Sequence, residues 1–249
     1  MPREIIVVTA AYGTDRIQAA GGQGNLLPII ADAGADGVEI RRELLSAAEL
    51  DTLPALGQSI IQRGLFACYS APEPLCTPDG KLNPALPALL GEAAQLNARW
   101  LKVSLGHFHT AASLAPLKGW LAQYSVALVV ENDQTECGRL DPMQRFQAAV
   151  MAQALPVTLT FDMANWLWVG DAPHEAARQL APLVSYIHVK AAVPHHYHHR
   201  AVALDDTTAE WRDLLRLLPV DAPRGIEFPL EGRDLTAVTR HYVNVLREE

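Results

Sequence analysis

The stretch Thr158-Leu-Thr-Phe-Asp162-Met-Ala-Asn165-Trp166 runs from a β-forming apolar segment straight into a carboxylate. A strand covered on both faces reads as a near-continuous apolar run, so Asp162 marks the exit of such a strand. The design recurs along the chain: Val126 to Val130 runs into Glu131, Val184 to Ile187 into His188, and Gly225-Ile226 into Glu227. A single strand-end carboxylate or histidine ordinarily faces solvent or caps a loop. Four at matching positions imply convergence, and a parallel barrel supplies it, because its site is assembled from the carboxyl ends of its strands.

Working outward, the same alternation covers the whole chain. The expected strands are Ile5–Thr9, Gly37–Arg41, Leu65–Tyr69, Trp100–Leu105, Val126–Glu131, Val157–Asp162, Tyr186–Lys190 and Gly225–Phe228. Helical signals fall between them. Ser46 with Glu49 forms a capping box for a helix that ends near Gly64 and kinks at Pro54. Asn83-Pro84 and Asp141-Pro142 read as cap-plus-proline starts, and Asp171 with Pro173 as another. Thr207 with Glu210 reads as a second capping box. Apolar stripes mark Leu86, Leu89, Leu90, Ala93 and Ala94, and Leu235, Val238, Tyr242, Val245 and Leu246 in the last helix. Eight strand-then-helix units of about thirty residues predict a parallel sheet with helices outside. The 249 residues match the size of one (β/α)8 TIM barrel, an α/β fold of about 250 residues, spanning 1–249 as a single domain. An open doubly wound sheet would need a glycine-rich phosphate turn, and Gly21, Gly22 and Gly24 lack the spacing for one; they read as a flexible loop.

Composition narrows the function. Hydrophobic residues at 49% and charged ones at 19% describe a globular chain. A formal net charge of -8 argues against general affinity for nucleic acid or anionic membrane. Cys68, Cys76 and Cys137 form neither a zinc spacing nor a disulfide framework. The amino-terminal apolar run, Ile5 to Ala11, is too short to span a membrane and lacks a signal peptide's layout. A soluble cytoplasmic protein is expected.

Three carboxylates converging in one pocket repel, so at least one takes up a proton unless a cation compensates, and a divalent metal removes the problem. Glu131, Asp162, His188 and Glu227 make a donor set hard enough for a divalent ion, with Mn2+ expected first and Mg2+ or Co2+ next. Such an ion leaves positions for adjacent oxygens of a hydroxy-ketone, polarises the carbonyl, and lets a nearby carboxylate remove the neighbouring proton.

The series Val-Val-Glu131-Asn132, Phe-Asp162-Met-Ala-Asn165, Ile-His188-Val-Lys190 and Gly-Ile-Glu227-Phe228 resembles the sugar isomerase and epimerase superfamily typified by xylose isomerase and the ketose 3-epimerases. The resemblance implies that Glu131, Asp162, His188 and Glu227 bind the metal, and that Glu131 and Glu227 are catalytic, exchanging protons with opposite faces of a small sugar or keto-acid substrate. Homodimers would be in keeping with it. Where such epimerases commonly carry a histidine three residues after the aspartate, this chain has Asn165. The usual arginine after the strand-seven histidine has its nearest counterpart in Arg200. Hydroxypyruvate isomerase-like or inosose dehydratase-like chemistry starts with the same proton abstraction, and a barrel that binds a sugar without turnover stays open. Endonuclease IV shares the superfamily, but Cys68-Tyr69 and Asn165 replace its additional histidine ligands.

Further candidates for substrate contact are Glu39, Lys190, Trp166, Asn165 and His107. Lys190 alternates onto the same side as His188. Glu39 and Arg41 line a far wall or form an internal ion pair. Trp166 and Trp168 wall off water or pack a loop. His107 and His109 follow strand four and either reach the barrel mouth or bond loop backbone. His195, His196, His198 and His199 read as a surface or lid loop after strand seven. The loop Ala71–Lys81 is long enough to overhang the site.

Overall fold

Eight parallel strands close into a barrel in a computed structural model that describes residues 3–249, apart from the side chain of Ala112. They are β1 (Ile5–Val8), β2 (Gly37–Arg41), β3 (Phe66–Ser70), β4 (Ala98–Ser104), β5 (Ala127–Glu131), β6 (Val157–Asp162), β7 (Val184–Val189) and, after a hairpin of β8 (Ala191–His195) and β9 (His198–Val202), β10 (Arg224–Ile226). Each barrel strand pairs with its sequence neighbours, and β1 with β10 closes the ring. This is the (β/α)8 barrel that strict alternation predicts, with Gly37–Arg41 and Val157–Asp162 as expected and the other strand limits shifted by no more than two residues; β10 ends just before Glu227. Among the described residues, no helix is long and apolar enough to cross a membrane.

Alternation along the strands divides the barrel interior into two layers. The lower one is apolar: Ile6, Cys68, Trp100, Val129 and Tyr186 pack together, with Phe66 against them. The Trp100 ring lies 4.9 Å from Tyr186 and 6.2 Å from Phe66. Two residues further along β2, β4, β5 and β7 stand Glu39, Lys102, Glu131 and His188, so the next layer is ionic. Gly225 permits this stacking, since a Cβ there would collide with the Tyr186 hydroxyl.

Several local readings change. The helix expected from Ser46 to Gly64 is two: the Ser46–Glu49 capping box forms and opens Ala47–Leu50, then the chain restarts as Leu53–Gln62. Pro54 explains the break, because its ring clashes with the carbonyl four residues earlier, that of Leu50. Asn83 accepts from the Ala85 N–H in a turn that precedes Leu86–Gln95, and Ala94 faces solvent. Asp141 lies inside Leu140–Ala152; the Leu140 N–H is accepted by Asp171, which caps this neighbour instead of its own helix. Thr207 and Glu210 form no capping box, and Glu210–Leu215 begins without a side-chain cap.

Loops also differ. The glycine-rich segment is anchored by the buried Gln23, whose amide donates to the Arg41 carbonyl at 2.9 Å while its oxygen accepts from the Arg41 N–H at 2.8 Å. The loop after β3 does not overhang freely: its Leu75 and Cys76 N–H groups donate to Ser104 and Leu105, tying it to the end of β4. The histidine tract forms the β8–β9 hairpin, with His196 at φ 53° in its turn and Tyr197 98% exposed at the tip.

Candidate metal and proton-transfer site

Glu131 and Asp162 are the last residues of β5 and β6, His188 sits near the end of β7, and Glu227 directly follows β10. Register brings them level: Asp162 pairs with His188, and His188 with Gly225. One donor atom from each of the four lies within 4.8 Å of the other three.

His188 is held from behind. Its Nε2 is 2.8 Å from Glu39 Oε2, which also accepts from the Tyr186 hydroxyl at 2.8 Å. Its Nδ1 faces inward, 2.7 Å from Glu131 Oε1 and 3.1 Å from Glu227 Oε2. Burial opposes charge on this imidazole, yet Glu227, Glu39 and Glu131 outweigh it and hold its proton affinity well above the ordinary value.

Each glutamate is clamped through one oxygen by a fixed cation. Lys102, 3% exposed, donates to Glu131 Oε2 at 2.5 Å, and Arg41 donates to Glu227 Oε1 at 2.9 Å. The other oxygens, Glu131 Oε1 and Glu227 Oε2, turn toward His188. Burial would raise both carboxyls. Against it, Lys102 and His188 bring Glu131 down to about 2, and Lys190, His188 and Arg41 bring Glu227 well below the usual range.

Asp162 is set differently. Its Oδ1 accepts the N–H groups of Ala164 and Asn165, both at 2.8 Å, and Oδ2 lies 3.4 Å from Lys190 Nζ. Complete burial pushes its carboxyl up to about 7; Lys190 opposes the rise, while Glu227 and Glu131 add to it. Lys190 reaches across the mouth of the cluster, 3.3 Å from both Glu227 Oε2 and Asn165 Oδ1.

This donor set suits a divalent cation. Glu131 Oε1 is buried with His188 Nδ1, itself a candidate ligand, as its close polar neighbour at 2.7 Å, and three carboxylates with one imidazole form a hard to borderline set. Opposed ligands of an octahedral Mg2+ or Mn2+ lie about 4.2 Å apart, near the spread found here. Glu39 behind His188 reproduces the carboxylate–histidine support common to metal sites.

The other sequence candidates fall in three groups. Lys190 and Asn165 join the cluster, and Asn165 also donates to the Asn132 carbonyl at 2.9 Å. Glu39 is wholly buried behind His188, where it holds the imidazole through Nε2 at 2.8 Å. Trp166 and His107 lie away from the cluster. Trp166 is buried against Phe161, 5.4 Å between rings, on the outer side of β6. Gly106, at φ 66° beneath the Cys76 carbonyl, turns the chain so that His107 points to solvent, and His109 is likewise exposed. The aromatic that does stand at the mouth is Trp168, 5.8 Å from Lys190 and 5.6 Å from His199 of the hairpin. Arg41 forms an ion pair with Glu227. Lys102 escaped sequence reading, although alternation places it inward between Trp100 and Ser104, where a charge requires a partner.

No family model and no curated protein matches the chain. Solved structures do. A xylose isomerase domain containing protein from Salmonella typhimurium LT2 aligns over 100% of this chain and 98% of its own, with a TM-score of 0.70 at 14% identity. D-allulose 3-epimerase from Methylomonas sp., crystallised with D-allulose, aligns over 100% and 98% with a TM-score of 0.67 at 14% identity. The probable 3-DHS dehydratase of petrobactin synthesis from Bacillus anthracis aligns over 98% of both chains with a TM-score of 0.66 at 12% identity. The chain thus has the xylose isomerase-like TIM-barrel fold.

Proposed function

We propose that this protein is a divalent-metal-dependent isomerase or epimerase of a small sugar or hydroxy-ketone, with Glu131, Asp162, His188 and Glu227 as the metal ligands and Mn2+ as the ion. The observation that carries the proposal is the meeting of these four donors around His188 Nδ1, with Glu39 fixing the far nitrogen. The ion, when bound, would polarise the substrate carbonyl as a Lewis acid. The epimerase sharing this fold, and its sugar ligand, support the choice of substrate class.

In this reading Glu131 and Glu227 transfer protons. One carboxylate takes the proton from the carbon beside the carbonyl, and the C–H electron pair moves onto the carbonyl oxygen as an enediolate. Return of a proton to the opposite face gives the epimer; return to the neighbouring carbon gives the aldose–ketose isomer. Lys102 and Arg41 lower the proton affinity of both glutamates, so the reaction relies on acidifying the substrate more than on a strong base. Lys190 holds a substrate oxygen, and Trp168 with the hairpin shields the site from water.

A dehydratase is the second reading. It is favoured by Lys190, an ammonium on the Asp162–Glu227 side alone, where it would protonate a departing hydroxyl after the same first step. It is supported also by the dehydratase among the fold relatives. The deciding experiment incubates the protein with Mn2+ in deuterium oxide against ketoses, an inosose and hydroxypyruvate, with NMR before and after chelation. Metal-dependent exchange at a carbon next to the carbonyl is expected, and the product identifies isomerase, epimerase or dehydratase. Bound metal without exchange on any substrate would favour a sugar-binding barrel.

A further inference from the structure

At the amino-terminal ends of the strands, the side of the barrel away from the metal ligands, lies a cavity of about 210 Å³ lined by Arg3, Arg212, Arg216 and Arg224. Arg224 opens β10 in register with Ile5, which fixes the cavity at this end. Glu249 is the acidic residue in its lining, and its carboxylate accepts from Arg212 Nε at 2.5 Å. Among the described residues, Arg212 pairs with Glu249 and Arg216 with Asp213, while the guanidinium groups of Arg3 and Arg224 have no carboxylate partner.

The arginines are built in. Arg224 is 3% exposed, donates through Nη1 to the Leu246 carbonyl at 2.6 Å, and leaves its Nε buried without a partner. Arg3 donates to the Arg247 carbonyl at 3.3 Å, and its Nε is likewise buried and unpaired. Arg212 is braced over the Trp211 ring at 4.3 Å, while Arg216 binds Asp213 at the rim. Burial and the nearby Arg3 push the Arg224 guanidinium down to about 10, with Glu249 opposing, as expected of a cation short of negative partners. Unpaired buried donors on charged groups are costly, and the arginine fork matches phosphate geometry.

We propose that this cavity binds a phosphate group, either as free inorganic phosphate or carried on a small monoester. The guanidinium groups of Arg3 and Arg224, which line the cavity, would bind its oxygens, with Arg212 closing one side. The proposal is independent of the reaction assigned to the opposite end of the barrel.

The test is a calorimetric titration of the metal-stripped whole protein with inorganic phosphate, and separately with glycerol 3-phosphate, at ionic strength held constant with sodium chloride. One saturable site per chain is expected. Arg3→Ala and Arg212→Ala, both at partly exposed positions, should each weaken binding roughly tenfold or more, with unchanged circular dichroism. Lys190→Met, at the far end, should leave binding unaltered. The tighter of the two ligands identifies the source. Absence of a saturable site, affinity unchanged in both arginine variants, or loss of binding in Lys190→Met would overturn the proposal.

Discussion

Glu39 Oε2 stands 2.8 Å from His188 Nε2, both side chains fully buried, so the imidazole can turn only its Nδ1 toward the carboxylates at the strand ends. Supporting carboxylates of this kind typically change metal affinity by about 10–100-fold. Glu39→Gln should therefore fold, keep the neighbouring hydrogen bonds to Tyr186, and bind Mn2+ about 10–100-fold more weakly by calorimetry. Wild-type affinity would mean that His188 is oriented without Glu39.

Lys102 is buried between Glu131 at 2.5 Å and Glu39 at 3.8 Å. Removing one member of a buried pair strands the other charge and costs about 3–5 kcal/mol. Lys102→Met should lower the urea midpoint of metal-free protein accordingly, and added Mn2+ should recover more stability in the variant than in the wild type. Equal gains would separate Lys102 from the metal-site charge.

Asp162 is protonated more readily in the folded protein than in the unfolded chain, with its carboxyl moved from 3.8 up to about 7. The raised value has a definite sign: the stabilisation is complete below 3.8 and is lost as pH rises toward and through about 7. In chelator-treated protein, the melting temperature of wild type should fall relative to Asp162→Asn across that window. Parallel curves would show that Lys190 already compensates the aspartate.

In the proposed mechanism, Glu227→Gln would keep an oxygen for the metal and lose proton transfer. Deuterium exchange should drop by roughly 10²–10⁴-fold, with metal partly retained by elemental analysis. Full exchange in this variant would remove Glu227 from the reaction.

The two neighbouring tryptophans should part company. Trp166→Ala opens a cavity against Phe161 and should cost about 3–5 kcal/mol, whereas Trp168→Ala should leave the melting temperature nearly unchanged and raise KM. An equal loss of stability in both would make Trp168 a packing residue as well.

The barrel and the meeting of Glu131, Asp162, His188 and Glu227 were legible because both follow from one pattern, an apolar run that stops at a donor. What lay beyond that pattern was decided by contacts distant in sequence. Arg41 binds Glu227 across 186 positions, and Tyr186 binds Glu39 across 147; neither pair leaves a local signature. Trp166 and Trp168 are two residues apart in one short helix, Asn165–Val169, so the turn of that helix decides which ring meets the core. Lys102 did carry a signal, a lone charge at an inward position of an apolar strand. His107 followed a readable turn glycine, yet the Cys76 carbonyl that fixes the turn comes from a loop thirty-one residues earlier.

The ring of strands is fastened at β10 by three paired residues on each side, with β1 and with β7. Glu227 follows this short strand immediately. An ion shared by Glu227 with residues of β5, β6 and β7 would act as a latch on the last strand, and its removal would loosen the barrel at this seam. Backbone amides of β10 and its flanks should then trade hydrogen with solvent faster after chelation than in the metal-bound protein.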